Sequence, residues 1–162
     1  MKSCFDGGTV IIGMGNPQLS DDGVGLAVAV AVAELLKQRM TLTVTELNTG
    51  GIRLMEAMAG FRRAVVVDAM RSGAPPGTIQ RFDPNEFVTT KNTFSSHDTD
   101  FGTAYDLGKM AGVSLPEQVS FWGIEGREFD LFGERLTAEV AAAVPAAVER
   151  IVAQITAWEG GA

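Results

Sequence analysis

The apolar positions of this chain fall into short unbroken runs separated by longer segments of mixed character. Thr9-Val10-Ile11-Ile12 is β-branched and uncharged, the pattern of a central parallel strand buried on both faces. The next apolar stretch, Leu26 to Ala33, alternates large and small residues with a period of two, as a strand would. Three signals favour a helix there: a capped polar start, continuation through Glu34-Leu35-Leu36-Lys37-Gln38-Arg39, and basic residues near the end. Thr41 to Leu47 is rich in β-branched residues and reads as a second strand. Asn48-Thr49-Gly50-Gly51 is a turn, and Ile52 to Ala59 an amphipathic helix with Ile52, Met55, Met58 and Ala59 on one face. Arg63 to Met70 is the strongest strand signal in the chain and carries a single acid, Asp68.

After a loop containing Pro75 and Pro76, Gly77 to Phe82 alternates apolar and polar, as an edge strand does. Asn85 to Thr93 is irregular. A helix is predicted over Phe101 to Ala111, capped at Ser96 or Asp98, and a last strand over Gln118 to Ile124. An acidic loop leads to an Ala/Val helix running from Leu136 or Thr137 to about Trp158, which Pro145 should kink or split. The alternation of strand and helix predicts one domain over residues 1–162. Its fold class is α/β, a three-layer α/β/α sandwich around a mostly parallel, twisted five-stranded sheet. In such sheets ligands bind beyond the carboxyl ends of the strands, which decides where to look for chemistry.

Composition narrows the classes. At 162 residues the chain can bury a full core. A formal net charge of -7 argues against a nucleic-acid surface, which must neutralise phosphates. The single cysteine, Cys4, excludes an internal disulfide and a Cys-rich zinc site. The first eight residues lack the apolar stretch of a signal peptide. Leu26 to Ala33 is too short and too rich in alanine to span a bilayer, and no other segment does better. The expectation is a cytoplasmic monomer that binds neither nucleic acid nor membrane.

The candidate chemistry centres on Gly13-Met14-Gly15-Asn16-Pro17-Gln18-Leu19-Ser20-Asp21-Asp22-Gly23-Val24-Gly25, between the first strand and first helix. The glycines permit a sharp turn, Ser20 stands where an N-cap should, and Asp21 and Asp22 fall in the first helical turn. Asp68 ends the third strand, His97 precedes the third main helix, and Glu125 follows the last strand. Two carboxylates and an imidazole at one sheet edge suit a first-row dication, with positions left open for water or a substrate. Each residue also has a structural reading: the paired acids as dipole partners, Asp68 as an acceptor for loop amides, His97 as part of a helix start. On the residues alone, both readings stand.

Taken together and in order, Gly13-Met14-Gly15-Asn16, Ser20-Asp21-Asp22-Gly23-Val24-Gly25, Val67-Asp68-Ala69 and Ser96-His97 resemble the NiFe-hydrogenase maturation endopeptidases. The resemblance covers nearly the whole chain. It implies a phosphorylase/hydrolase-like fold and a peptidase that removes the C-terminal extension of a hydrogenase large-subunit precursor. In that family cleavage follows nickel insertion, and the nickel in the substrate is the recognition element. The family's metal-contacting and catalytic positions fall on Asp22, Asp68 and His97. Substrate contacts are expected at Asn16 and at two turns, Asn48, Gly50 and Gly51 in one and Glu125 in the other. Both turns depart from the family: Asn48-Thr49-Gly50-Gly51 replaces an Asp-Gly-Gly turn, and Gly123-Ile124-Glu125-Gly126 a Gly-x-x-Pro-like segment.

The cofactor implied is nickel carried by the precursor, with an adventitious divalent cation as another occupant. Outside enzymes, a non-catalytic nickel-binding maturation chaperone could use the same three residues. Ile12 to Pro17 also resembles the opening of peptidyl-tRNA hydrolases, but those esterases need a basic face and an early histidine; this chain is acidic and has no other histidine. A dinucleotide site fits poorly, because the third glycine is missing and Asp21-Asp22 would repel a pyrophosphate.

Overall fold

The structure, a computed structural model, describes residues 7–83 and 101–161. The uncharged runs become inner strands: β1 (Thr9–Met14) and β3 (Arg63–Met70) are buried along their whole length. With β2 (Leu42–Leu47), β4 (Ile79–Phe82) and β5 (Gln118–Glu125) they form one sheet in the order β2-β1-β3-β5-β4. All neighbours are parallel except β4, which runs antiparallel to β5 as a four-residue edge. The expected edge strand is therefore an edge strand, and the sheet is mostly parallel.

Side chains alternate across this sheet, so each inner strand feeds two cores. Ile11, Val65, Val67, Trp122 and Ile124 pack under α1 (Val24–Leu36) and α4 (Ala138–Gly160). Val10, Ile12, Ala64, Val66 and Phe121 pack under α2 (Ile52–Met58) and α3 (Phe101–Met110). The result is the expected three-layer sandwich. The period-two pattern of residues 26–33 is resolved as helix: Val24, Val28, Ala29, Val32 and Leu36 form the buried stripe, while Val30 is exposed.

Three expectations are corrected. Ser20 is not an N-cap. Residues Ser20–Gly23 form a short 3₁₀ turn ahead of α1, and no side chain caps either. Pro145 does not split the last helix, which is continuous from Ala138 to Gly160. Pro145 and Ala141 are both exposed, so the carbonyl that loses its i+4 partner faces water rather than the core. Finally, α4 is long and apolar enough to cross a membrane by length and composition, which the sequence reading missed.

In the structure α4 closes one layer of the sandwich, burying Val140, Ala147, Val148, Ile151 and Ile155. Gln154 accepts hydrogen bonds from Ser120 Oγ and Trp122 Nε1, both 3.0 Å. Buried Arg63 pairs with Glu159 and donates to the Trp158 carbonyl at 2.8 Å. The helix is thus anchored to β3 and β5 along its length.

The start of α1 sits directly on the sheet. A Cβ at Gly25 would fall on the carbonyl oxygen of Val67, with that of Met14 only 2.7 Å away. Gly25→Ala should therefore lower stability by about 3 kcal/mol, the upper end for overpacking, because backbone carbonyls cannot swing aside. An unchanged urea midpoint would show that the contact relaxes freely. Pro145→Ala should instead stabilise the protein by about 1–2 kcal/mol. That is less than the full interior-proline penalty, since proline also restricts the unfolded chain. A lowered melting temperature would contradict this account.

Candidate active site

Beyond the carboxyl ends of β1 and β3 lies a cleft of about 250 Å³ lined by Met14, Gly15, Asn16, Leu19, Asp22, Asn48 and Asp68. Its floor depends on one sharp turn. Gly15 has φ +108° and stands so close to the Asp22 carbonyl that any side chain would collide with it. The Gly15 N–H donates to the Leu47 carbonyl at 2.8 Å, joining the turn to the end of β2. The Asn16 N–H donates to Asp22 Oδ2 at 2.8 Å, and the Asn16 side-chain oxygen accepts from the Gln18 N–H at 2.9 Å. Asp22 is thereby held at the lip of the cleft, half-buried.

Asp68 reaches the same cleft from β3. It is 3% exposed and, by strand alternation, lies on the α2/α3 side with Val66 and Met70. Asn48, exposed at the end of β2, supplies a neutral donor and acceptor on the far wall. The structure thus brings together Asp22, Asp68, Asn16 and Asn48. His97 lies outside the described residues, as does Cys4. Helix α3 begins four residues after His97, and its first residue, Phe101, packs edge-on against Phe121 on the sheet face that carries Asp68. Among the described residues no three His, Cys, Asp or Glu side chains form a metal-binding group; Asp22 and Asp68 are the two carboxylates that line the cleft.

The remaining predicted contacts are placed elsewhere. Gly51 is the N-cap of α2, and neither it nor Gly50 lines the cleft. Glu125 is buried, and its carboxylate accepts from the Ser72 and Gly73 N–H groups and the Ser72 hydroxyl at 2.7–3.0 Å. It holds the 71–77 loop and does not face the cleft. Met14 and Leu19, by contrast, line the cleft without having been singled out. Apolar residues beside a glycine turn carry no signal of their own in a sequence.

Asp21 departs furthest from expectation. It is fully buried, and its carboxylate accepts from the Arg127, Glu128 and Thr137 N–H groups and the Thr137 hydroxyl at 2.8–2.9 Å. Burial alone would raise its pKa, but the hydrogen bonds from Glu128, Arg127 and Thr137 outweigh it and hold the carboxyl below the ordinary aspartate value. Hydrogen bonds to a charged group contribute about 1.5–3 kcal/mol each, enough to offset the several kcal/mol of burying one carboxylate. Asp21 is the anchor of the 127–137 loop, not a helix-dipole partner alone.

Comparison with known proteins places the chain in a family. The HycI hydrogenase maturation protease family model matches residues 28–154, a span that includes Asp68 and His97. The hydrogenase expression/formation protein HupD of Rhizobium leguminosarum bv. viciae is 26% identical over 92% of this chain and 74% of its own length. The hydrogenase maturating endopeptidase HybD of Escherichia coli superposes with a TM-score of 0.72 over 91% of each chain; at 23% identity this likeness establishes the fold. A [NiFe] hydrogenase maturation protease, HybD from Thermococcus kodakarensis, gives a TM-score of 0.65 at 29% identity, over 88% of this chain and 95% of its own. The chain belongs to the hydrogenase maturation protease family, and its enzymatic class is hydrolase, a peptidase.

The lowered pKa of Asp21 makes part of the stability pH-dependent. Because the folded value is depressed, the contribution is complete above the unfolded pKa and is lost as pH falls through the folded value. Urea midpoints of the wild type and Asp21→Asn should therefore differ most near neutral pH and converge only as pH falls below the ordinary aspartate range. A difference that stays constant would show that ionisation of Asp21 does not hold the loop.

Proposed function

We propose that this protein removes the C-terminal extension of a NiFe-hydrogenase large-subunit precursor after nickel has been inserted. The observation that carries the reading is the meeting of Asp22 and Asp68 in one cleft, in a chain of the hydrogenase maturation protease family. Nickel enters as part of the substrate. The donor set fits that role: two carboxylates from the described cleft, with His97 as the third donor, are oxygen and nitrogen ligands acceptable to nickel. Two carboxylates and one imidazole leave coordination positions for the precursor's own ligands.

Asp22 and Asp68 orient the loaded precursor so that the scissile peptide lies at the carboxyl edge of the sheet, and proximity supplies much of the acceleration. Asp22, Asp68 and His97 would hold the precursor's dication at this edge, where it would supply Lewis-acid activation of water and of the scissile carbonyl. Asn16 and Asn48 flank the cleft as neutral groups able to hydrogen-bond a peptide backbone without competing for the cation. Dependence on a substrate-borne metal also gives specificity: an unloaded precursor lacks the group that seats it.

Incubating the purified protein with nickel-loaded precursor should reduce the mass of the large subunit by its C-terminal peptide, while nickel-free precursor should stay intact. His97→Ala and Asp68→Asn should abolish processing, a loss of about 100-fold or more, with far-UV circular dichroism unchanged. Efficient cutting of nickel-free precursor, or wild-type cutting by His97→Ala, would contradict the reading.

A further inference from the structure

The loop 127–137 is fastened to the turn that carries Asp22 by an unusually dense set of bonds. The Gly133 N–H donates to the Gln18 carbonyl at 2.8 Å, and the Ser20 N–H to the Gly133 carbonyl at 2.7 Å. The Ser20 hydroxyl donates to the Arg135 carbonyl at 2.9 Å, and the Asp21 N–H to the Glu128 carbonyl at 3.0 Å. The Asp21 carboxylate adds the four bonds from Arg127, Glu128 and Thr137 already described. All of these end on residues 18–21. The Asp22 carboxylate, one residue further, accepts from the Asn16 N–H and lines the cleft.

Within this turn Ser20 has φ +48°, the one non-glycine residue with positive φ among the described residues. A side-chain-bearing residue holds that conformation only when its surroundings enforce it, and here the enforcing contacts come from the 127–137 loop. If the loop were released, Ser20 could return to negative φ. The following peptides would rotate, and Asp22 would be carried away from the Asn16 N–H.

We propose that Asp21 is a positioning residue: it clamps the 127–137 loop onto the strained turn and so fixes the carboxylate of Asp22 in the cleft. This rests on the reading of Asp22 as part of the cutting site. The two neighbouring acids then divide the work, one meeting the substrate and the other never touching it. Thr137 is the clamp's partner, because it supplies two of the four donors to Asp21.

The test is single-turnover cleavage of nickel-loaded precursor with enzyme in excess, which separates the rate constant from the fraction of competent enzyme. For Asp21→Asn the rate constant should fall about 100-fold with full amplitude, and the affinity for nickel-loaded precursor should weaken with it, because a displaced Asp22 no longer helps to seat the nickel. Thr137→Val should cut about fivefold more slowly, and Thr137→Ser, which keeps both donors, at the wild-type rate. A merely structural role gives the opposite pattern: amplitude falls with the unfolded fraction, and the folded remainder cuts at the wild-type rate. That result would overturn the proposal, as would a Thr137→Ser variant as slow as Thr137→Val. If Asp21→Asn does not fold, the two Thr137 variants decide the question. Asp22→Asn distinguishes the levels: its inactivity with wild-type rates in Asp21→Asn overturns only the clamp, whereas wild-type cutting by Asp22→Asn overturns the site and the clamp together.

Discussion

The site depends on a backbone contact that leaves no room for side chains. The first turn of α1 lies against the carboxyl ends of β1 and β3, so close that Gly25 faces two strand carbonyls directly. That approach places the 3₁₀ turn, and Asp22 within it, over the strand ends where Asp68 emerges. A larger residue would lift α1 off the sheet and open the cleft. The glycines of the opening motif are therefore requirements of packing first, and their link to chemistry follows from where that packing puts the acids.

Two adjacent aspartates meet opposite fates there. Asp21 turns inward and is saturated by three backbone N–H groups and a hydroxyl. Asp22 turns outward, holds one N–H, and faces a hollow. A fully bonded carboxylate is a structural group, because its lone pairs are already used. A carboxylate with coordination capacity left, beside a second one, is a group that can meet a cation or a peptide. On the neighbouring strands β3 and β5, Asp68 lines the cleft, whereas Glu125 accepts hydrogen bonds from Ser72 and Gly73 and holds the 71–77 loop.

Much of the fold was legible because its signals are local. Unbroken β-branched runs marked β1 and β3, and the alternation of strands with longer segments gave a layered parallel sheet. The short alternating segment after Pro75-Pro76 marked β4 as an edge. Local signals failed where a distant segment takes over a local role. Ser20 looked like a cap, yet its hydroxyl is used by Arg135, 115 residues away in sequence. Pro145 looked like a break, yet it falls on the exposed side of α4, where water can satisfy the lost bond. The membrane-length apolarity of α4 was overlooked because its alanines read as an ordinary helix, and its burial is decided by β5 and Arg63.

The sequence by itself determined the class of sheet, the position of the glycine turn, and the acids available at the strand ends, since these follow from periodicity and residue chemistry along the chain. Only the tertiary structure decided which acid is bonded inward and which lines the cleft. A carboxylate's role depends on how many donors surround it, and the donors to Asp21 and Glu125 come from segments remote in the chain. No pattern near residue 21 announces a loop at 127–137, so two identical neighbours in sequence become a loop anchor and a cleft-lining acid only once the chain has folded.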